Sequence, residues 1–176
     1  MINRSNRRIR NLSQRQEKQA AKDVGGYTVA GSGAAKFSGG GDVRKQGELR
    51  IECKYTEKDY YDLKLSELKK IKLQALHGGL EQAVMQLEFV SGSSSWKCVI
   101  LPALRNDALR QFKSTANRQA RLHRDELMGF FLESSEGVQV VFLEEPKGTS
   151  HVFTIVSWHV FLFGVDEDDP RAREHE

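Results

Sequence analysis

The sequence predicts a mixed α/β (α+β) domain: a central mixed β-sheet flanked by helices, with a C-terminal helical segment and β-hairpin extension. Two observations carry this. Segments of period two, read as strands, are interspersed with segments of period three to four, read as helices, and their order is helix, strands, helix, strands, helices, hairpin. The chain of 176 residues is also long enough to bury one core and short enough to need only one.

Residues 1–12 carry arginines and are expected to form a flexible basic arm. Ser13 opens a helix, with Gln16 three positions on to complete a capping box. The helix runs through Glu17, Ala20 and Ala21 to Gly25-Gly26. Residues 25–41 are rich in glycine and small residues, which suits a short strand at Tyr27 to Val29 and then a loop.

From Glu48 to Tyr55 the pattern alternates. Leu49, Ile51, Cys53 and Tyr55 take one face of a strand, and Arg50, Glu52 and Lys54 take the other. A helix is expected over Ser66 to Leu76, with Leu68, Ile71, Ala75 and Leu76 as its apolar stripe and Gly78-Gly79 as its stop. Strands follow at Ala83 to Val90 and Trp96 to Leu101, joined by SGSSS. Leu104 to Leu132 is helical in composition, as two helices, and Gly137 to Leu143 with Val152 to Phe163 read as a closing hairpin. A single domain over residues 13–165 then leaves an acidic tail at 166–176.

Composition narrows the function classes. No apolar stretch is long enough to span a bilayer, and no apolar run follows the N-terminal arginines as a secretory signal requires. A cytoplasmic protein is expected, in host cytoplasm if phage-encoded. Cys53 and Cys98 form no metal-ligand pair with each other or with the scattered histidines, so both are expected as small buried residues. No phosphate-binding P-loop is present, so no nucleotide cofactor is expected.

Charge is uneven. The first 22 residues hold seven basic residues against one acid, and the last eleven hold six acids against two arginines. A basic arm on a near-neutral body suits phosphate contact, although a charge run is more often a solvated end. Arg105, Arg110, Lys113, Arg118, Arg121 and Arg124 form a second basic group, read first as a solvated face.

The chemistry concentrates in thirteen residues. Asp42 ends the glycine-rich loop, and Glu52 and Lys54, two apart on a strand, emerge on one side. A hairpin could return Asp42 alongside them. Phosphodiester hydrolysis needs such a set. Hard oxygen donors suit Mg²⁺, a metal ion polarises the phosphoryl group and activates water, and a lysine can neutralise developing charge. By itself an E-x-K on a strand is usually a surface ion pair. The preceding Gly41-Asp42 and the helix acid Glu17 strengthen the reading.

The run from SQRQEKQAAKDVGGYTVAGSG through GGGDVRKQGELRIECKYT to the helix ending Gln74-Ala75 resembles the PD-(D/E)xK nuclease superfamily, of restriction-endonuclease-like fold. More narrowly, it looks like the Holliday junction resolvases of archaea and their phage or prophage relatives. It covers about residues 13 to 75. The resemblance implies Asp42 and Glu52 as the main ligands of Mg²⁺ (Mn²⁺ able to substitute), Lys54 as the catalytic lysine, Glu17 completing the site directly or through a metal-bound water, and Gln74 as a polar helper. Ser32 in the G-S-G loop would touch a phosphate. Gly41 replaces the family's proline, and residues from about 103 onward match nothing in the pattern.

The substrate implied is a four-way DNA junction, recognised by shape. Arg7, Arg8, Arg10, Lys36, Arg44 and Lys45 lie where cations would offset the acids and bind phosphates. Two symmetric cuts imply a homodimer, with Trp96, Trp158, Phe130, Phe131, Phe153, Phe161 and Phe163 as interface material if not core. Three competing readings stand beside this one. They are another nuclease of this fold (restriction or repair type), a non-catalytic DNA-binding protein on that scaffold, and an unrelated α/β domain with an incidental E-x-K.

Overall fold

The computed structural model of the chain describes residues 4–29, 42–77, 82–102, 109–134, 136–144 and 148–164. A 21-residue helix, α1 (Arg4–Val24), leads into β1 (Tyr27–Thr28), β2 (Val43–Lys45), β3 (Leu49–Thr56) and β4 (Tyr60–Lys64). Helix α2 (Leu65–His77) precedes β5 (Gln82–Ser91), β6 (Ser94–Pro102), β7 (Arg110–Thr115) and β8 (Gln119–His123). The described residues end with α3 (Arg124–Glu133), β9 (Val138–Glu144), β10 (Thr149–Ser157) and α4 (Trp158–Phe163).

Eight strands form one mixed sheet in the order β1-β2-β3-β5-β6-β10-β9-β7, and β4 and β8 form a separate pair. β3 runs parallel to β5 and β7 parallel to β9, while the remaining pairs are antiparallel. The parallel β3–β5 pair needs a crossover, which contains β4 and α2. The fold is therefore α+β, with helices on a large mixed sheet, and the expected class holds.

The sheet has two unlike faces. One carries an almost wholly apolar core of Leu63, Leu68, Ile71, Met85, Leu87, Phe89, Leu122, Leu127, Phe142 and Ile155, among others, supplied by α2, α3 and the β4–β8 pair as well as the sheet. The other packs Ile51, Cys53, Val84 and Val99 under Ala20 and Ala21 of α1. Leu49, Ile51 and Cys53 share that face, as their alternation predicted. Both cysteines are buried and free.

Several expectations fail for identifiable reasons. Helix α1 starts at Arg4, not Ser13, so positions 4–12 are helical rather than a flexible arm. Ser13 therefore caps nothing: its hydroxyl donates to Glu17 Oε1 at 2.9 Å, within the helix. Of the two helices expected over 104–132, residues 104–108 lie outside the described residues, and the rest holds β7, β8 and one helix of 10 residues, α3. Propensity is a weak prior there. Ala120 and Leu122 alternate inward in β8, which pairs with β4, and Asp62 faces Arg121 across that pair in a 2.8 Å ion pair. The expected strand Val152 to Phe163 stops at Ser157. There the Ser157 hydroxyl accepts from Val160 N at 3.1 Å and starts α4. Trp158 Nε1 donates to Asp23 Oδ2 at 3.0 Å, tying α4 to α1. Among the described residues, no helix is long and apolar enough to cross a membrane. The acidic tail lies outside the described residues.

Candidate active site

Asp42 enters the site because β2 returns antiparallel to β3, with Val43 opposite Ile51 and Arg44 opposite Arg50. Asp42 N donates to Ile51 O at 2.9 Å, and Cys53 N donates to Asp42 Oδ2 at 2.8 Å. One carboxylate oxygen is thus fixed against the backbone between Glu52 and Lys54. Lys54 Nζ bonds Glu52 Oε1 at 2.9 Å, with the two side chains about one-third and one-fifth exposed (32% and 22%). The strand face that the alternation assigned to chemistry does carry these groups together.

Glu17 approaches from α1. Burial raises its carboxyl above the ordinary carboxylate range; the Ser13 hydroxyl opposes this, and the charges of Asp42 and Glu52 push it further up. The three acids thus share one electrostatic neighbourhood. Lys54 shows the complement. Burial alone would lower its ammonium, but the hydrogen bond and charge of Glu52, then Asp42 and Glu67, outweigh burial and hold it above its usual value.

Two backbone features make this approach close. Gly25 turns the end of α1 with φ of +66°, a left-handed conformation that glycine adopts without strain. Gly26 follows, and a Cβ there would overlap the carbonyl oxygen of Arg44 on β2. The helix carrying Glu17 and the hairpin carrying Asp42 are therefore joined by backbone contact.

Further residues of the site escaped the sequence reading. Gln16 is buried (3% exposed) and donates through Nε2 to Lys54 O at 2.8 Å and to Gln86 Oε1 at 3.2 Å. It ties the helix bearing Glu17 to the strand bearing Lys54. Glu67, in the first turn of α2, accepts from the Tyr61 hydroxyl at 3.4 Å. Burial, the Glu67 charge and that bond push the Tyr61 phenol up. Arg50, assigned to the outer polar face, is fully buried (0% exposed). Burial and the nearby Arg44 lower its guanidinium, and Glu52 partly restores it. No local pattern marks Gln16 or Arg50 as buried. Glu67, an acid in a first helical turn, was visible but unremarkable.

The remaining expected residues divide. Arg44 lies on β2 opposite Arg50, whose guanidinium it lowers. Lys45 is spent on an exposed ion pair with Glu48 at 2.6 Å. Positions 7, 8 and 10 are on α1, and position 10 precedes Glu17 by two helical turns. Position 74 is on α2, ten residues into the helix, while Glu67 occupies its first turn. Ser32 and Lys36 lie outside the described residues. Of the expected interface aromatics, Phe153 is buried, Trp96, Phe130, Phe131, Trp158 and Phe161 pack against the two cores, and Phe163 is 73% exposed. In the second basic group, Lys113, Arg118, Arg121 and Arg124 are ion-paired, and Arg105 lies outside the described residues.

Among the described residues, no three His, Cys, Asp or Glu side chains form a group that could hold a metal ion. A tetrahedral zinc cage is thus not built from them. Mg²⁺ makes a smaller demand: one or two carboxylates, with waters and a phosphate filling the other positions. The pair Asp42 and Glu52 meets that demand in donor type, and Lys54 supplies the adjacent cation. No family model and no curated protein compared with the chain gives a match.

Proposed function

We propose that the chain is a Mg²⁺-dependent DNA endonuclease with a restriction-endonuclease-like core, acting as a Holliday junction resolvase in recombination, repair or phage DNA processing. The observation that carries this reading is the pinning of Asp42 beside Glu52 by Cys53 N at 2.8 Å, with Lys54 bonded to Glu52 at 2.9 Å. Asp42 and Glu52 would hold the ion, with Mn²⁺ able to replace it. When bound, Mg²⁺ supplies charge at the scissile phosphate and a more acidic water.

The chain's own residues do the rest. Lys54 neutralises charge developing on the phosphate in a site where burial strengthens the interaction. Glu17, with its carboxyl raised by burial and by its acidic neighbours, is suited to hold or pass a proton more readily than an ordinary carboxylate. Gln16 fixes the helix and strand that bear them. Two symmetric cuts call for two copies of the chain, each with one site. The cytoplasm, where branched DNA arises, is the expected compartment.

The test is an immobile four-way junction incubated with Mg²⁺ or EDTA, with Asp42→Ala alongside. Paired, symmetric, metal-dependent cuts that vanish in the variant are the expected result. Cutting of linear duplex alone would point to a restriction or repair nuclease of the same fold. Tight junction binding without cutting would support a non-catalytic DNA-binding protein. What favours that binding role is the Lys54–Glu52 bond, which already occupies one carboxylate oxygen of the site.

A further inference from the structure

The ordering of residues 4–12 into α1 changes what its basic residues can do. Helical spacing puts Arg15, Lys18 and Lys22 on successive turns of one face, and all three are exposed. Positions 4 and 8, both arginine, continue the same line toward the N-terminus. The opposite face holds Gln16, Ala20 and Ala21, which are buried against the sheet. The line from position 4 to position 22 extends about 27 Å, at about 1.5 Å per residue. No acid lies on it: Glu17 faces Asp42 and Glu52, and Asp23 bonds Trp158.

Seven cations elsewhere in the fold, Lys45, Lys54, Lys69, Lys113, Arg118, Arg121 and Arg124, are held in ion pairs with carboxylates. Arg15, Lys18 and Lys22 form no ion pair with a described residue. Beside the line, a groove of about 190 Å³ opens between α1 and the β5–β6 turn. Arg15, Gln19, Ser93, Ser95 and Lys97 line it, with Glu88 as its acid. Cationic, amide and hydroxyl side chains are the groups that contact phosphate oxygens.

We infer that the outer face of α1, from position 4 to Lys22, with the adjoining groove, binds the phosphate backbone of a nucleic acid, and that it lies across the helix from the hydrolytic residues. The inference rests on DNA as the substrate of the site. A line of cations about 27 Å long spans about eight base-pair steps of duplex, whose own charge is linear. An anionic membrane is the poorer partner, because a surface-seeking helix inserts its apolar face and here that face is under the sheet.

The test measures binding of labelled four-way junction and matched linear duplex in EDTA across a salt series. The variant Arg15→Gln, Lys18→Gln, Lys22→Gln is compared with Lys64→Gln, Lys70→Gln, Lys72→Gln, which removes the same charge from other exposed positions. Circular dichroism and unfolding midpoints verify that both are folded. The α1 variant is expected to bind at least about tenfold more weakly near physiological salt, with the slope of log K against log salt reduced by about 2.7, or about 0.9 for each phosphate no longer neutralised. The control is expected to stay near wild type. Equal losses in both variants, an unchanged slope, or equal wild-type affinity for polyglutamate or anionic vesicles at matched salt would each overturn the inference. Wild-type cleavage with undiminished binding by the α1 variant would refute this surface and keep the nuclease. Binding through α1 without any cleavage would do the reverse.

Discussion

Two ionic clusters in this molecule look alike in composition and differ in balance. At one, Glu144 meets two cations, Lys69 at 2.6 Å and Arg118 at 3.4 Å, and the ring of His151 at 3.1 Å. The Lys69 and His151 bonds hold its carboxyl below the ordinary range. At the other, one ammonium, Lys54, sits among Glu52, Asp42 and Glu67, and Glu17 is raised by burial and by two of those acids. The first cluster is satisfied: it ties α2, the β7–β8 turn and the β9–β10 hairpin together. The second gathers carboxylates, and the like charge of Asp42 and Glu52 adds to burial in holding Glu17 up. Perturbation of this kind, at a partly exposed position, marks a functional site better than an ion pair does.

Truncating side chains in each cluster separates them most directly. Asp42→Ala and Lys54→Ala are expected to lower metal-dependent cleavage at least about a hundredfold while both variants stay folded. Glu144→Ala should do the opposite: a lower midpoint with cleavage within about twofold of wild type, as distant sites act independently. Loss of cleavage in folded Glu144→Ala would show that its cluster is not structural alone.

Next in size is Gly26→Ala. A Cβ there meets the Arg44 carbonyl, a backbone atom that cannot swing aside. Overpacking of this kind costs about 1–3 kcal/mol. Denaturant unfolding should show that loss, and cleavage should fall more than in Glu144→Ala, because the β2 hairpin carries Asp42.

A pH series distinguishes the clusters through opposite signs. Glu144 has a depressed carboxyl, so its contribution is present above the unfolded-state value and is lost as pH falls through its folded value. Glu17 has a raised carboxyl, so its ionised form costs stability above its folded value, and the cost is relieved as pH falls toward the unfolded value. At neutral pH, Glu144→Gln should therefore destabilise and Glu17→Gln stabilise. Both differences should shrink in acid, read by denaturant midpoints from about pH 7 to about pH 3. The smallest effect is expected at the exposed Lys45–Glu48 pair, where Glu48→Gln should change stability by no more than about 0.5 kcal/mol.

Legibility followed the range of the determining interactions. The period-two pattern of Leu49 to Tyr55 correctly separated the face under α1 from the face carrying Glu52 and Lys54, because strand alternation is local. The same rule failed at Arg50, which the sheet buries. Residues 110–123 show alternation only at Ala120 and Leu122, and their strand state depends on β4 and β9, distant in sequence. Ser157 could act as a strand residue or a helix cap, and the bond from Trp158 to Asp23, far away on α1, accompanies the second outcome.

Local sequence was enough for the α+β class, the buried state of both cysteines, and the pairing of Glu52 with Lys54, since each follows from composition or from side-chain spacing along one element. Only the assembled fold holds Asp42 on Cys53 N, bridges Glu17's helix to Lys54's strand through Gln16, and adds Glu67 to the charge around Lys54. The hydrogen-bonded cases join residues separated by 11 and 38 positions. Such contacts exist once the sheet has brought its strands and helices into register, and no spacing along a single element encodes them.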